Sequence, residues 1–506
     1  INNDDIAPTL TLVKTVTNDD GGTLGVGDFP LFISGSATTS GTAVTLAAGD
    51  FVASETTEFG YAPGPWTGDC DAGGNVSLSV GENKTCTINN DDIAPTLTLV
   101  KTVINDNGGT LEAAAFPAFI DGSSVPWGVA QTLTANATYT ASETEQFGYA
   151  ASAWGTDCAG DGTVTLGVGE NKTCTITNDD VAPTLTLVKT VINDNGGTLE
   201  AADFPAYIDG SSVPWGVAQT LTGNATYTAS ETEQYGYAAS DWGGDCDAAG
   251  NVSLGVGDNL TCTITNDDIA PTLTLVKTVI NNDGGTAVAA DFQPYIDGAP
   301  VAWGVAYPLM ALVQHTASED NVFGYAASYW GGDCDPAGNV VPYPGDNLTC
   351  TITNDDIAPT LKLVKTVTND DGGSGVATDW TLSATAEPPR DGRNISQAGG
   401  TADFVAVFAN AVYDLAEVSA TWTDGTEYNF GSFTCDGGTF NAQNQTISLI
   451  PGQTGVTCTV VNDDIAPTLK LVKTVDNGTN PGGDAVANDW TLSATAAAPD
   501  DGRNFN

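Results

Sequence analysis

The sequence is built from an internal repeat, and this repeat limits the possible folds more than any other feature. The segment APTLTLVKTV begins at Ala7, and close copies begin at Ala94, Ala182, Ala270, Ala358 and Ala466. The lysines that these copies share are 87, 88, 88, 88 and 108 residues apart. A period of this length predicts a tandem array of small domains rather than one large core.

The spacing of the lysines predicts five complete repeats and two fragments. The predicted boundaries are 1–5 for the end of a preceding repeat, 6–92, 93–180, 181–268, 269–356 and 357–464 for repeats 1 to 5, and 465–506 for the start of a sixth. Repeat 5 is longer and divergent, because DWTLSATAEPPRDGRN replaces AADFPAYIDGSSVPWG of repeat 3. Ile1 and Asn506 both fall inside the pattern, so we expect the sequence to be part of a longer chain.

Each repeat consists of short alternating apolar segments that are separated by Gly, Asn and Asp. In repeat 1 these segments are TLTLVKTV, FPLFISG, AVTLAAG, FVASET, NVSLSVG and KTCTINN. Segments with a period of two predict β-strands, and a helical period is missing. We therefore expect an all-β fold, a tandem array of small antiparallel β-sandwiches of the immunoglobulin-like or transthyretin-like kind. The few residues between one closing strand and the next first strand contain proline. These short joins should hold the domains in an extended rod.

The ten cysteines occur as one pair in each complete repeat. The pairs are Cys70 and Cys86, Cys158 and Cys174, Cys246 and Cys262, Cys334 and Cys350, and Cys435 and Cys458. Disulfides within these pairs are the simplest interpretation, and they indicate an oxidising, extracellular compartment. Zinc thiolates are the alternative, but two cysteines per repeat and a single histidine, His315, cannot supply four ligands within a domain.

The shared lysine falls on the apolar face of its strand. Side chains two residues apart share a face, so Lys14 lies with Leu10 and Leu12. The same rule places Glu55 and Asn90 on the apolar faces of their own strands. Burying an ammonium group alone costs several kcal/mol, so an inward lysine must be paired, neutral or chemically consumed.

The order of lysine on the first strand, glutamate at the end of ASETTEFGY-type strands and asparagine in the closing CTITNDD strand resembles a known family. It is similar to the collagen-adhesin B-type or SpaA-type domains of bacterial surface proteins, also called prealbumin-like. The resemblance implies an isopeptide bond: the lysine amine attacks the asparagine carboxamide, ammonia leaves, and the glutamic acid transfers protons. The sets that it implies are Lys14, Glu55 and Asn90; Lys101, Glu143 and Asn178; Lys189, Glu231 and Asn266; Lys277, Glu319 and Asn354; and Lys365, Glu417 and Asn462. For Lys473 the sequence contains no closing strand.

Two alternatives to the covalent bond remain open from the sequence. One is a buried salt bridge between lysine and glutamate, with a hydrogen bond from the asparagine. The other is a lysine that points outward into solvent.

Acidic residues cluster where the first and closing strands should end. NDDGG, NDNGG or NNDGG follows the first strand, and NDD ends the closing strand. If these strands are parallel neighbours, the carboxylates come within about 15 Å of one another. Carboxylates in a Gly-rich loop suit Ca²⁺, which makes calcium the one cofactor that the sequence indicates, with solvated turn residues as the alternative. The candidate ligands are Asp19, Asp20, Asp91, Asp92, Asp106, Asp179, Asp180, Asp194, Asp267, Asp268, Asp283, Asp355, Asp356, Asp370, Asp371, Asp463 and Asp464.

A formal net charge of −50 argues against nucleic acid and anionic membranes as partners. An enzyme acting on an external substrate is not expected, since four complete repeats contain no histidine for a catalytic triad. The recurrent tryptophans, such as Trp66 and Trp127, either pack on the disulfide and sheet or stack on sugars.

We interpret the chain as a structural extracellular repeat protein, secreted or attached to the cell surface. As the stalk of a surface adhesin or as an extracellular fibre, it would provide reach, stiffness and protease resistance. Its expected partners are neighbouring repeats of the same chain and, if it polymerises, other copies of itself. The alternatives are a filament subunit that pairs strands between chains and a glycan- or protein-binding adhesin module.

Overall fold

The computed structural model describes residues 4–390, 392–401, 403–419, 427–479 and 483–496. The chain divides between Asp268 and Ile269 into two compact units. The first unit contains repeats 1 to 3, and the second contains repeats 4 and 5 and the described part of the sixth segment. Residues 1–3 of the predicted leading fragment, and residues 480–482 and 497–506 of the predicted sixth repeat, lie outside the described residues.

Repeat 1 forms two facing sheets. Its strands are β1 (Thr9–Thr17), β2 (Leu31–Ile33), β3 (Ser36–Thr38), β4 (Ala43–Thr45), β5 (Gly49–Glu55), β6 (Tyr61–Pro63), β7 (Thr67–Gly68), β8 (Asn75–Leu78) and β9 (Asn83–Asp92). The first sheet has the order β4-β1-β9-β6, with β7 also paired to β9, and the second has the order β3-β2-β5-β8. The pairs are antiparallel except β1 and β9, which are parallel.

Repeats 2 to 4 have the same order of strands in both sheets. The strands of repeat 2 are Thr96–Ile104, Ala118–Ile120, Ser123–Val125, Gln131–Thr132, Ala137–Glu143, Tyr149–Ala151, Gly155–Thr156, Thr163–Leu166 and Asn171–Asp180. Those of repeat 3 are Thr184–Ile192, Ala206–Ile208, Ser211–Val213, Gln219–Thr220, Ala225–Glu231, Tyr237–Ala239, Gly243–Gly244, Asn251–Leu254 and Asn259–Asp268. Those of repeat 4 are Thr272–Ile280, Pro294–Ile296, Ala299–Pro300, Ala306–Pro308, His315–Glu319, Tyr325–Ala327, Gly331–Gly332, Asn339–Val340 and Asn347–Asp356.

Repeat 5 keeps the first sheet and enlarges the second. Its strands are Thr360–Thr368, Trp380–Ala386, Ile395–Ala398, Val405–Ala406, Val412–Ser419, Tyr428–Asn429, Thr434–Cys435, Thr439–Asn441, Thr446–Ser448 and Val456–Asp464. The second sheet has five strands, because Thr439–Asn441 adds an outer strand to Thr446–Ser448. The divergent sequence therefore changes one sheet and leaves the pairing of the first and closing strands intact.

The core of each repeat lies between its two sheets. In repeat 1, Leu10 and Leu12 of β1 are 0% exposed and pack against Leu31 of β2 and Val76 of β8. Repeats 2 to 5 have equivalent apolar clusters. Alternation along β1 explains this arrangement, since every second side chain points into the core. The predicted all-β sandwich is confirmed.

The parallel pair of β1 and β9 is the longest contact in the repeat. It runs from Thr9 opposite Asn83 to Thr17 opposite Asp91. The register places Lys14 opposite Ile88, two residues before Asn90. Because the two strands are parallel, the chain enters the repeat at one end of the pair and leaves it at the other.

Helical structure in the described part of the chain is limited to single turns. Short 3₁₀ turns occur at Val26–Asp28, Ala113–Ala115, Ala201–Asp203, Ala289–Asp291, Ala377–Asp379 and Ala487–Asp489. None of the helices found among the described residues has the length and apolar character needed to cross a membrane.

Each predicted cysteine pair forms a disulfide. The bonds are Cys70–Cys86, Cys158–Cys174, Cys246–Cys262 and Cys334–Cys350, each across 16 residues, and Cys435–Cys458 across 23. In repeat 1 the bond links the closing strand β9 to the segment between β7 and β8. Closing a loop of this size stabilises a domain by about 3 kcal/mol in the chain-entropy model.

The six apolar segments that predict strands in repeat 1 correspond to β1, β2, β4, β5, β8 and β9. Strands β3, β6 and β7 were not predicted, because they lie in the segments GSATTSG and GYAPGPWTG, which have no apolar alternation. Residues 466–479, which copy the start of a first strand, form no strand. In the other repeats this segment is paired to the closing strand of its own repeat.

Adjacent repeats within a unit are joined by main-chain hydrogen bonds. Between repeats 1 and 2, Ala135 N donates to Asp20 O (2.7 Å), Asn136 Nδ2 to Gly21 O (2.8 Å) and Gly169 N to the Ile93 O of the join (2.7 Å). The same contacts recur between repeats 2 and 3, and between repeats 4 and 5. Each repeat is therefore held by its neighbour as well as by the peptide link.

Two glycines of repeat 1 provide a test of the packing of β7 against the closing strand β9. Both have a left-handed backbone, with φ of 82° at Gly68 and 86° at Gly35. A Cβ at Gly68 would collide with the carbonyl oxygen of Thr85, whereas a Cβ at Gly35 would meet nothing within 4 Å. Gly35→Ala should therefore cost about 1 kcal/mol through backbone strain alone, and Gly68→Ala about 2–3 kcal/mol or more.

Hydrogen exchange of repeat 1 in the full chain measures both substitutions against the same background. Equal losses of protection in the two variants would contradict the packing described for Gly68.

Candidate functional site

A lysine and a glutamate form an ion pair inside the core of repeat 1. Lys14 Nζ on β1 donates to Glu55 Oε2 at the end of β5, at 2.7 Å. Their side chains are 0% and 4% exposed. The pair therefore connects the first sheet to the second.

The same pair occurs in every complete repeat. The other pairs are Lys101 with Glu143, Lys189 with Glu231, Lys277 with Glu319, and Lys365 with Glu417. All five lysine side chains are 0% exposed. The alternative of an outward, solvated lysine does not describe these geometries.

An aromatic ring covers each of these ammonium groups. Lys14 Nζ lies 4.5 Å from the ring centroid of Phe29. The equivalent rings are Phe116, Phe204, Phe292 and Trp380. In repeats 2 to 4 the indole of Trp127, Trp215 or Trp303 adds a second ring within 6 Å. Cation–π attraction partly compensates for the lost hydration of the ammonium group.

An asparagine of the closing strand completes the set. Asn90 is 0% exposed, and neither its Oδ1 nor its Nδ2 has a hydrogen-bond partner. The Oδ1 atoms of Asn178, Asn266 and Asn354 also lack a partner. In repeat 5, Asn462 Nδ2 donates to Glu417 Oε2 (3.3 Å), and Asn462 Oδ1 accepts from Gly431 N (3.0 Å).

The glutamates keep one oxygen without a partner as well. Oε1 is buried and unpaired in Glu55, Glu143, Glu231, Glu319 and Glu417. A buried polar atom without a partner costs about 1–3 kcal/mol. The set thus has unused hydrogen-bonding capacity in all five glutamates and in the asparagines of repeats 1 to 4.

Burial also changes the acid–base properties of the lysines. Desolvation lowers the pKa of Lys14, and the hydrogen bond and charge of Glu55 oppose this effect without cancelling it. The pKa is lowered for the same reason in Lys101, Lys189, Lys277 and Lys365. A lowered pKa increases the fraction of neutral, nucleophilic amine.

A second group of side chains lies where the closing strand meets the loop after the first strand. Asp92 is 4% exposed and accepts hydrogen bonds from the N–H groups of Asp20 (3.1 Å) and Gly22 (2.6 Å). Asp180, Asp268, Asp356 and Asp464 accept the equivalent bonds. This aspartate therefore fastens the Gly-rich loop to the closing strand.

The acidic side chains of this region also lie close to one another. Desolvation raises the pKa of Asp91, and the charges of Asp19 and Asp92 raise it further. Four groups have carboxylate oxygens within 4.8 Å of one another: Asp19, Asp20 and Asp92; Asp106, Asp179 and Asp180; Asp194, Asp267 and Asp268; and Asp370, Asp463 and Asp464. Of the predicted ligands, Asp91, Asp283, Asp355, Asp356 and Asp371 are not in these groups.

Repeat 4 differs from the other repeats in this region. Asn282 stands where repeat 1 has Asp19, and the described residues of repeat 4 contain no group of three carboxylates. Asp283 instead forms an ion pair with Arg393 of repeat 5. A calcium site in the other repeats stays a prediction.

The tryptophans and the histidine contact their own domain. Trp66 is 7% exposed and shares the core cluster of repeat 1 with Cys70 and Cys86. Trp127 and Trp154 stack with ring centroids 6.3 Å apart. His315 is 6% exposed, with Nδ1 2.6 Å from Asp297 Oδ2 and Nε2 2.9 Å from Met310 O.

Two groups around the lysine and the acidic loop were not predicted from the sequence. One is the aromatic cover of the lysine, for which the recurrent phenylalanine and the WGVA segment were available signals. The other is Tyr61, whose hydroxyl donates to Asn18 Oδ1 (2.6 Å) and accepts from Leu24 N (3.0 Å). The tyrosine in FGY was the signal for this second fastening of the loop.

The sequence matches the prealbumin-like fold domain over residues 5–88, 92–176, 180–264, 356–460 and 464–505, which is more than half of the chain. The chain belongs to the prealbumin-like fold domain family. These ranges leave out repeat 4, which has the same sheet order as the matched prealbumin-like repeats.

Several solved structures are similar to this prealbumin-like chain. The Bacillus anthracis TIE protein is 12% identical over 87% of this chain and 76% of its own, with a TM-score of 0.34. The pilus adhesin SpaC of Lactobacillus rhamnosus GG is 12% identical over 60% of this chain and 46% of its own, with a TM-score of 0.21. Two B repeat units of the collagen binding protein of Staphylococcus aureus are 14% identical over 73% of this chain and 99% of their own, with a TM-score of 0.14. No curated protein matches the chain in sequence.

Calcium binding has an internal control in repeat 4. We expect four sites per chain, in repeats 1, 2, 3 and 5, with dissociation constants on the order of 10⁻⁴–10⁻³ M. Asp19→Asn should remove one site, because it replaces a carboxylate with an amide. Calorimetric titration of the calcium-free full chain measures both the number of sites and the loss.

The matched control is Asp50→Asn, which makes the same change of charge at an exposed position of repeat 1 outside the acidic group. Absence of binding heat, or an equal effect of the two substitutions, would remove the calcium prediction.

Proposed function

We propose that the chain is the repeat region of a structural cell-surface protein, the stalk of an adhesin or an extracellular fibre. Each repeat is closed by a covalent bond between its lysine and its asparagine. The observation that carries this proposal is the buried pair of lysine and glutamate, with a buried asparagine on the closing strand that lies beside the strand of the lysine. Family membership and five disulfides support an extracellular location.

The proposed reaction uses only groups within one repeat. Lys14 Nζ, as the neutral amine, attacks Cγ of Asn90, so that the Nζ–Cγ bond forms and the Cγ–Nδ2 bond breaks. Glu55 takes a proton from Nζ and delivers it to Nδ2, which leaves as ammonia. The lowered pKa of Lys14 and its hydrogen bond to Glu55 support these roles.

A bond at this position would change how the repeat carries a pulling force. Tension applied at the two ends of the repeat loads the parallel pair of β1 and β9 in shear, so the pairs from Thr9 to Thr17 resist together. A covalent link from Lys14 to Asn90 would carry the force directly between the strands. The rest of the sandwich would then be shielded from the load.

The joins between repeats support the same mechanical role. The hydrogen bonds of Ala135, Asn136 and Gly169 to the preceding repeat or join restrict motion between repeats 1 and 2. An exposed, flexible linker would offer proteases a site for cleavage, which these short joins do not provide.

Two further functions remain as alternatives. A filament subunit would pair strands or ends between copies of the chain, and electron microscopy of native material distinguishes it from a stalk. A glycan- or protein-binding module would need an exposed binding surface. The packing of Trp66 into the core disfavours that tryptophan as a sugar platform.

Intact mass of the reduced full chain tests the covalent bond. Five bonds, each with the loss of one ammonia of about 17 Da, should lower the mass by about 85 Da relative to the sequence. A mass equal to that of the sequence would leave only the noncovalent ion pair.

Substitution of the glutamate tests whether this residue takes part in forming the bond. Glu55→Gln removes the proton acceptor of repeat 1, so this variant should retain one ammonia, about 17 Da, relative to the wild type. Glu58→Gln makes the same chemical change three residues away, outside the set, and should form all five bonds. Equal losses in the two variants would contradict the role assigned to Glu55.

A further inference from the structure

The sequence contains eleven Asn-x-Ser/Thr sequons that the mechanical function does not use. Their asparagines are Asn75, Asn83, Asn136, Asn171, Asn224, Asn251, Asn259, Asn347, Asn394, Asn444 and Asn477. A sequon alone is weak evidence in a chain rich in Asn and Thr, because the motif arises by chance. The hydrogen bonds of the side chains separate these sequons into two groups.

In the first group the nitrogen that would carry a glycan makes no hydrogen bond. Asn83 is exposed at the start of β9, and its Oδ1 accepts from Thr9 Oγ1 at 2.5 Å. Among the described residues, Asn83 Nδ2 has no acceptor. The equivalent asparagines of repeats 2 to 4 accept from Thr96, Thr184 and Thr272 in the same way. They are Asn171, Asn259 and Asn347, and all three are exposed.

The hydroxyl of the sequon lies on the same side of the strand as the asparagine. Asn83 and Thr85 are two residues apart on β9 and are both exposed, whereas Cys86 is buried. The bond from Thr9 fixes Oδ1 towards β1 and leaves Nδ2 accessible. In repeat 5, Asn394 and Asn444 are also exposed and donate no side-chain hydrogen bond among the described residues.

In the second group Nδ2 already donates to the protein. Asn136 and Asn224 donate to Gly21 O (2.8 Å) and Gly108 O (2.7 Å) of the preceding repeat. Asn75 and Asn251 donate to Asp71 and Asp247, and Asn477 donates to Ala485 O. A sugar on these nitrogens would break a bond, and at Asn136 and Asn224 it would also have to fit between two repeats.

We propose that the folded chain is an acceptor for N-linked sugars, and that the acceptor sites are the sequons with a free Nδ2: Asn83, Asn171, Asn259 and Asn347, with Asn394 and Asn444 in repeat 5. This modification is independent of the isopeptide bond. It would place a sugar at the same point of the closing strand in each of repeats 1 to 4, on an exposed side chain outside the core.

The reaction needs a glycosyl donor activated by a diphosphate. The Nδ2–C1 bond forms, the bond between C1 and the diphosphate oxygen breaks, and the proton lost from Nδ2 leaves with the transferase base. A nucleotide-activated sugar and a lipid-diphosphate-linked oligosaccharide share this chemistry. The mass of the attached group distinguishes them, since the first adds one hexose and the second adds an oligosaccharide.

A soluble N-glycosyltransferase with UDP-glucose, acting on the folded full chain, tests the assignment by peptide mapping. We expect occupancy at Asn83, Asn171, Asn259 and Asn347 that exceeds occupancy at Asn136 and Asn224 by about tenfold, because only the latter sites lose a hydrogen bond. The reduced, heat-unfolded chain should show no such preference. Asn83→Gln should remove one hexose, and Asn75→Gln should remove none.

Two results would overturn the proposal. One is occupancy of Asn136 and Asn224 equal to that of Asn83 in the folded chain. The other is a folded chain that accepts no sugar under conditions in which the unfolded chain does.

Discussion

The parallel pairing of the first strand with the closing strand is the interaction on which the rest of the repeat depends. It runs from Thr9 to Thr17 in repeat 1, while the other pairs of that sandwich are antiparallel. It places the lysine and the asparagine on adjacent strands of one sheet. It also brings the Gly-rich loop and the NDD segment to the same end, where Asp92 can accept the N–H groups of Asp20 and Gly22.

The buried polar set shows what this pairing makes possible at the centre of an apolar core. Lys14 and Glu55 compensate for each other, and Phe29 covers the ammonium group. The amide of Asn90 and Oε1 of Glu55 still lack partners, which is costly in an interior of low dielectric. In repeat 1 the set is therefore paired at the lysine and unpaired at the carboxamide.

Much of the fold could be predicted from short segments of sequence. The alternation in TLTLVKTV identified both the strand and its buried face, and the cysteine spacing identified the disulfides. The short strands β3, β6 and β7 were missed because they lie in segments rich in Gly, Pro, Ser and Thr that have no apolar alternation. The aromatic cover of Lys14 was missed because Phe29 is a core residue by every local criterion, and its position over the amine depends on how the two sheets pack.

The repeat, most of the strands, the inward face of the lysine and the pairing of the cysteines follow from local periodicity and spacing, so they could be predicted from the sequence alone. Which polar groups meet depends on how the strands and the repeats pack. The structure shows that Asp92 and its four equivalents accept main-chain N–H groups, that all of these except Asp356 also face other carboxylates, and that Asp283 pairs with Arg393. Such contacts depend on residues far apart in the sequence, so no local pattern contains them.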